Sequence, residues 1–114
     1  MKTFVRSIHP QNFQQEVVLE KRPVLLLCMP RDEEFFKQVK ILEAVAETHG
    51  QALKVGLLED EFIERFRLDL GIRGTPTFLI LVQGKEKARM LGLADQASLT
   101  DFISEFSQQW TVLE

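Results

Sequence analysis

Cys28 is the only cysteine of the chain. It stands four residues ahead of three consecutive carboxylates, Asp32, Glu33 and Glu34, in the stretch PVLLLCMPRDEEFFKQV. A lone thiol can take a mixed disulfide or a reversible oxidation if its pKa is depressed and its sulfur exposed. It can equally be a small buried hydrophobe, a common role of free cysteine. One sulfur permits neither an intrachain disulfide nor a multi-cysteine metal site. The carboxylates also carry two readings. They could approach a hard cation, but Ca²⁺ takes about six to eight oxygens and no ligand-loop spacing is present. General acid–base work needs partners that the pattern does not supply. At a helix start the same residues cap the backbone and favour the macrodipole. Glu59, Asp60 and Glu61, with Glu64 after them, form a second acidic run of the same kind. His9 and His49 stand singly, outside any metal-ligand spacing. Gly71, Gly74, Gly84 and Gly92 match turns rather than a phosphate loop. Neither a metal nor a cofactor is expected.

The chain that must position these groups has 114 residues, 45% of them hydrophobic and 27% charged, with a formal charge of −3. One domain with a real core is expected at this length. Basic residues are scattered, so there is no stripe for nucleic acid or an anionic membrane, and neither is expected as a partner. The apolar runs fall far short of the ~20 residues of a membrane span. The first ten residues, MKTFVRSIHP, show no apolar signal core. A cytoplasmic, reducing setting is expected.

Residues 1–5 predict a short edge strand that His9-Pro10 breaks, and residues 12–19 a short helix presenting Phe13, Val17 and Val18. Residues 24–29 are apolar throughout, as in a strand covered on both faces. Asp32 is the candidate N-cap of a helix carrying Phe35, Val39, Leu42, Val45 and Ala46 to His49, with Gly50 as its stop. Residues 52–58 predict a second buried strand, and residues 60–70 a helix with Phe62, Ile63, Phe66 and Leu70 inward. Residues 77–82 and 85–91 predict a hairpin turning at Gln83-Gly84. Asp95 or Ser98 caps a last helix that turns Leu99, Phe102, Ile103 and Phe106 inward. The order β-α-β-α-β-α-β-β-α implies a mixed α/β sheet, with three parallel helix-separated strands joined by right-handed crossovers and a hairpin that adds an antiparallel edge. The domain is expected over residues 1–109. Residues 110–114, with Trp110, are expected as a tail, in part cloning-derived.

This order, together with PVLLLCMP, GIRGTPTF and LGLADQASLTDFI, resembles thioredoxin over residues 13–106. The resemblance implies that Pro76 is cis, with Thr75 before it. It lays the family's Trp-Cys-Gly-Pro-Cys motif on RDEEF, so that Asp32 and Phe35 occupy the two cysteine positions. Thiol–disulfide exchange needs an attacking thiolate and a second, resolving thiol, and neither residue can supply one. The buried Asp and the Lys that serve proton transfer in the family correspond to Leu26 and Leu57. The junction therefore resembles a redox site that has lost its chemistry, and no catalytic residue is expected.

A peptide-binding groove does not depend on cysteine. In thioredoxins the residue before the cis-proline offers its backbone to an extended chain, and the loop ending the last strand flanks it. Here that implies Thr75, Pro76, Leu91, Gly92 and Leu93, with Arg31 and Asp32 to Glu34 as an acidic rim. Strand-like main-chain bonds would hold the peptide. The expected function is a redox-inactive, thioredoxin-like adaptor or chaperone for a protein or extended peptide. A narrower resemblance is to hydrogenase-maturation chaperones, which lack the cysteine pair and whose partner is a hydrogenase precursor with a basic twin-arginine signal peptide. Two alternatives stand beside it: a one-cysteine redox protein or sensor using Cys28, and a structural subunit of a larger assembly.

Overall fold

A strand with no polar face must be covered on both sides. Residues 24–28 meet that condition, and they form the central strand of a five-stranded sheet in the computed structural model. The structure describes the backbone of residues 5–113 and the side chains of residues 5–109. The strands are β1 (Val5–Ile8), β2 (Val24–Cys28), β3 (Lys54–Leu58), β4 (Thr77–Val82) and β5 (Lys85–Leu91), in the spatial order β1-β3-β2-β4-β5. β1 and β2 run parallel to β3, whereas β4 is antiparallel to β2 and β5 antiparallel to β4. Every residue of β2 and β4 is buried.

Alternation along β2 divides the core in two. Leu25 and Leu27 face helices α1 (Phe35–His49) and α3 (Gln96–Leu113), meeting Leu42, Val45, Leu99 and Ile103. Val24, Leu26 and Cys28 face the opposite layer, where helix α2 (Ile63–Leu70) contributes Ile63 and Phe66 and a single π-helical turn (Gln14–Val18) contributes Val17. The result is an α/β sandwich with the sheet in the middle. No helix among the described residues is long and apolar enough to cross a membrane.

Several boundaries differ from the sequence expectation, each for a local reason. Among the described residues the first strand covers Val5–Ile8, running past the expected end at residue 5; residues 1–4 of that expectation lie outside the described residues. It ends where Asn12 intervenes: the His9 N–H donates to Asn12 Oδ1 (2.9 Å) and Asn12 Nδ2 donates to Ser7 O (2.9 Å). Asp32 caps a turn that precedes α1, its Oδ1 accepting from the Glu34 N–H (3.0 Å), and the helix itself starts at Phe35. Residues 60–62 form a 3-10 turn before α2, which ends on Gly71 in the left-handed region (φ 62°). Asp95, not Ser98, caps α3, accepting from the Ser98 N–H (2.8 Å). The expected tail is helical: α3 runs through residues 110–113, because no Gly or Pro follows Phe106 to stop it.

After α2, residues 71–76 bring the chain to the end where β2 and β3 finish, and β4 starts there, with Thr77 opposite Cys28. The Thr75–Pro76 peptide bond just before it is cis. Gln83 (φ 52°) and Gly84 (φ 83°) make the β4–β5 turn, both in the left-handed region that a two-residue hairpin requires.

Candidate functional site

The strand ends gather the candidate residues at one edge of the sheet. Cys28 pairs with Thr77 and Thr77 with Leu91, so the ends of β2, β4 and β5 form a row. Beyond that row lie Thr75 and Pro76 on one connection and residues 91–94 on another. The two connections are stitched together by the Gly92 N–H, which donates to Pro76 O (2.9 Å). Gly92 adopts φ 103°, a conformation that L side chains rarely adopt. Leu91 Cδ1 lies 3.8 Å from where a Cβ on Gly74 would stand, so the Leu91 side chain reaches over the loop before Pro76. Thr77 Oγ1 donates to Gly74 O and closes the same loop from below.

This half of the site is apolar and open. Leu91 is 67% exposed and Leu93 56% exposed, while Thr75 is exposed and Pro76 half-buried. Among the described residues neither main-chain group of Thr75 has a hydrogen-bond partner. An exposed, unpaired peptide group beside two exposed leucines can accept an extended chain through main-chain bonds and apolar contacts.

Arg31 and Asp32 belong to a second half. The Arg31 guanidinium sits over the Phe35 ring, 5.3 Å from its centroid, a cation–π contact that keeps the side chain against the start of α1. Arg31 also shares a shallow concavity of about 230 Å³ with Glu59, Asp60 and Glu61. The structure thus brings the two acidic turns to neighbouring positions past the ends of β2 and β3, whereas Thr75, Pro76 and residues 91–93 gather past β4 and β5. Phe36, 68% exposed, meets Phe35 edge-on at the start of α1 (centroids 5.3 Å apart).

Two further residues at this end of the sheet, Phe35 and Gln38, differ in how far the sequence shows them. Phe35 is buried and packs with Leu57 and Leu27 in the core under α1, so it acts as an apolar anchor at a position where the resemblance puts a resolving thiol. Gln38 escaped the sequence reading. It is 5% exposed and bonds both polar groups of its amide to Ala94: Nε2 donates to Ala94 O (2.9 Å) and Oε1 accepts from the Ala94 N–H (3.2 Å). The available signal was a polar residue on the inward row of α1, between Phe35 and Leu42.

Cys28 lies on the other side of β2, fully buried among Leu26, Ile63 and Phe66. Burial pushes its thiol up to about 11, only partly offset by the Arg67 charge. At neutral pH the sulfur is therefore a protonated thiol with no access to solvent, opposite to what a nucleophile requires. His9 packs beside Phe62 and its Nδ1 lies 3.0 Å from Gln11 Oε1. Among the described residues no three His, Cys, Asp or Glu side chains form a metal-binding group. No protein-family model matches the chain, and no curated protein matches it closely enough to indicate a relative.

Proposed function

We propose that this chain is a thioredoxin-like, redox-inactive protein that binds an extended peptide or a protein segment. The observation that carries the reading is the unpaired main chain of exposed Thr75, set beside Leu91 and Leu93 on a loop fixed to Pro76. The mixed sheet of parallel strands and an antiparallel hairpin, with helices on both faces, supports the family resemblance. Asp32 and Phe35 at the two cysteine positions, and buried Leu26 and Leu57 at the proton-transfer positions, support the absence of thiol–disulfide exchange. The buried, protonated Cys28 speaks against the one-cysteine redox alternative.

An extended ligand would pair its backbone with Thr75, lay apolar side chains on Leu91 and Leu93, and present cations to the rim of Asp32 to Glu34 and Glu59 to Glu61. In its narrower form the ligand is the basic signal peptide of a hydrogenase precursor, a suggestion that rests on the resemblance alone. The test uses a soluble nonapeptide of alternating leucine and serine flanked by paired lysines. Titrated into ¹⁵N-labelled protein, it should shift the amides of Thr75, Gly92 and Leu93. The double substitution Leu91→Glu with Leu93→Glu, at exposed positions, should weaken binding about tenfold or more, the equivalent of ~1.4 kcal/mol, without lowering stability. Shifts confined to other surfaces, or no binding at all, would overturn the proposal.

A further inference from the structure

We propose that Gln38 is the positioning residue of this surface, an inference that rests on the binding reading above. A buried amide on the apolar row of a helix is costly unless its donor and acceptor are both satisfied. Gln38 satisfies both on a single residue, Ala94, 56 positions away in sequence, bonding the two peptide groups that flank its Cα. Its partner is the residue that follows Leu93. On the other side of Leu93, Gly92 is held by its bond to Pro76 O. Leu93 is therefore suspended between two anchored residues and kept 56% exposed. An unanchored loop would fold its leucines down onto the domain, since apolar surface gains by burial at roughly 25 cal/mol per Å². An apolar residue at position 38 would fill the same space but could not grip the backbone. The glutamine thus serves the loop's shape more than the core's packing.

The test compares Gln38→Leu and Gln38→Glu with the native protein, using the lysine-flanked nonapeptide and ¹⁵N spectra. Gln38→Leu keeps the volume and removes both bonds; it should weaken the peptide about tenfold and shift the Gly92, Leu93 and Ala94 amides before any peptide is added. Gln38→Glu adds a readout that a packing role would not move. As a carboxylate it still accepts from the Ala94 N–H but faces Ala94 O with no donor. Protonated, it can make both bonds again. Its loop spectrum and peptide affinity should therefore return toward the native values as pH is lowered through the titration of that carboxyl, while native protein over the same range does not follow. The charged groups around the site, the rim of Asp32 to Glu34 and Glu59 to Glu61, Lys37 and Lys40 on α1, and Asp95 and Asp101 at α3, are present in all three proteins, so each affinity is read as a ratio to native protein at the same pH. Thermal unfolding at each pH verifies that the variants are folded. Failure of the native protein to bind removes the functional reading itself. Native binding with unaltered affinity in folded Gln38→Leu, or a pH-independent Gln38→Glu, removes this inference and leaves the functional reading standing.

Discussion

At Cys28 the choice between reagent and packing atom turns on solvation. A thiolate among Leu26, Ile63 and Phe66 would lose its hydration with little in return, and the thiol is accordingly pushed up to about 11. A native-state maleimide reaction should run orders of magnitude slower than with unfolded protein, and fast labelling of folded protein would return Cys28 to the list of nucleophiles. The same environment predicts an asymmetry between two small substitutions. Cys28→Ala leaves a modest void and should cost about 1 kcal/mol, whereas Cys28→Ser buries a hydroxyl that lacks a side-chain acceptor there and should cost about 1–3 kcal/mol. Denaturant unfolding separates them, and equal stabilities would mean the sulfur is not in a dry apolar site. Because the raised pKa belongs to the folded state, this thiol's contribution is full below the ordinary thiol pKa of 9.0 and fades as pH climbs through about 11.

Elements were legible where the pattern was pure. The apolar runs of β2 and of residues 78–82 in β4, with the Gln83-Gly84 turn, announced the central sheet and hairpin directly, because strands buried on both faces are apolar nearly throughout and a two-residue turn demands left-handed backbone; buried Thr77 is the exception, its hydroxyl bonded to Gly74 O. Legibility failed where a polar side chain was spent on a distant element. Gln38 sits on the inward row of α1, but its partner, Ala94, is remote in sequence and no local pattern points to it. Lys54 opens β3 at the opposite end of the sheet. It donates to Glu16 O (2.9 Å) and Glu16 Oε1 (2.8 Å) and lies 3.5 Å from Glu20 Oε1, while Arg6 reaches Glu16 as well. Arg22 forks onto Glu20 and reaches Gly50 O at the end of α1 (2.7 Å). These bonds tie the π-helical turn, β3 and α1 together, and no local periodicity encodes them. They also make the elements acid-sensitive. Hydrogen bonds from Arg22 hold Glu20 down from its ordinary 4.5 to about 2. A carboxylate depressed in the folded state stabilises above its unfolded pKa and loses that effect as pH falls through the folded value. The urea midpoint should therefore drop between about pH 4.5 and pH 2 more steeply in native protein than in Glu20→Gln. Glu20→Gln itself should cost about 1–2 kcal/mol at neutral pH, a partly buried ion pair being worth more than an exposed one. Parallel acid limbs for the two proteins would show that the cluster is not coupled to folding.

The molecule as a whole carries its candidate surfaces on one end of the sheet and its cross-element ion network on the other, so the candidate end can vary without unpicking what ties the layers. That separation makes the proposed loss of redox chemistry testable by restoring sulfur. The Phe35 N–H donates to Asp32 O (3.2 Å), and a turn of that spacing holds its end Cα atoms within ~7 Å, near the range that a disulfide spans. If the scaffold is thioredoxin-like, Asp32→Cys combined with Phe35→Cys should close an intramolecular disulfide and accelerate insulin reduction by dithiothreitol, whereas native protein should give no acceleration. Removing the Phe35 ring from beside Leu27 and Leu57 leaves a cavity, and the double variant should be less stable by about 3 kcal/mol. Its turnover should also be slow, because apolar Leu26 and Leu57 offer no group to move a proton to or from the new thiols. Two results would defeat the reading from opposite sides. Native turnover would mean that Cys28 or another group does redox work after all. A folded double variant whose two thiols stay reduced under oxidant would mean that positions 32 and 35 do not stand where a dithiol site needs them.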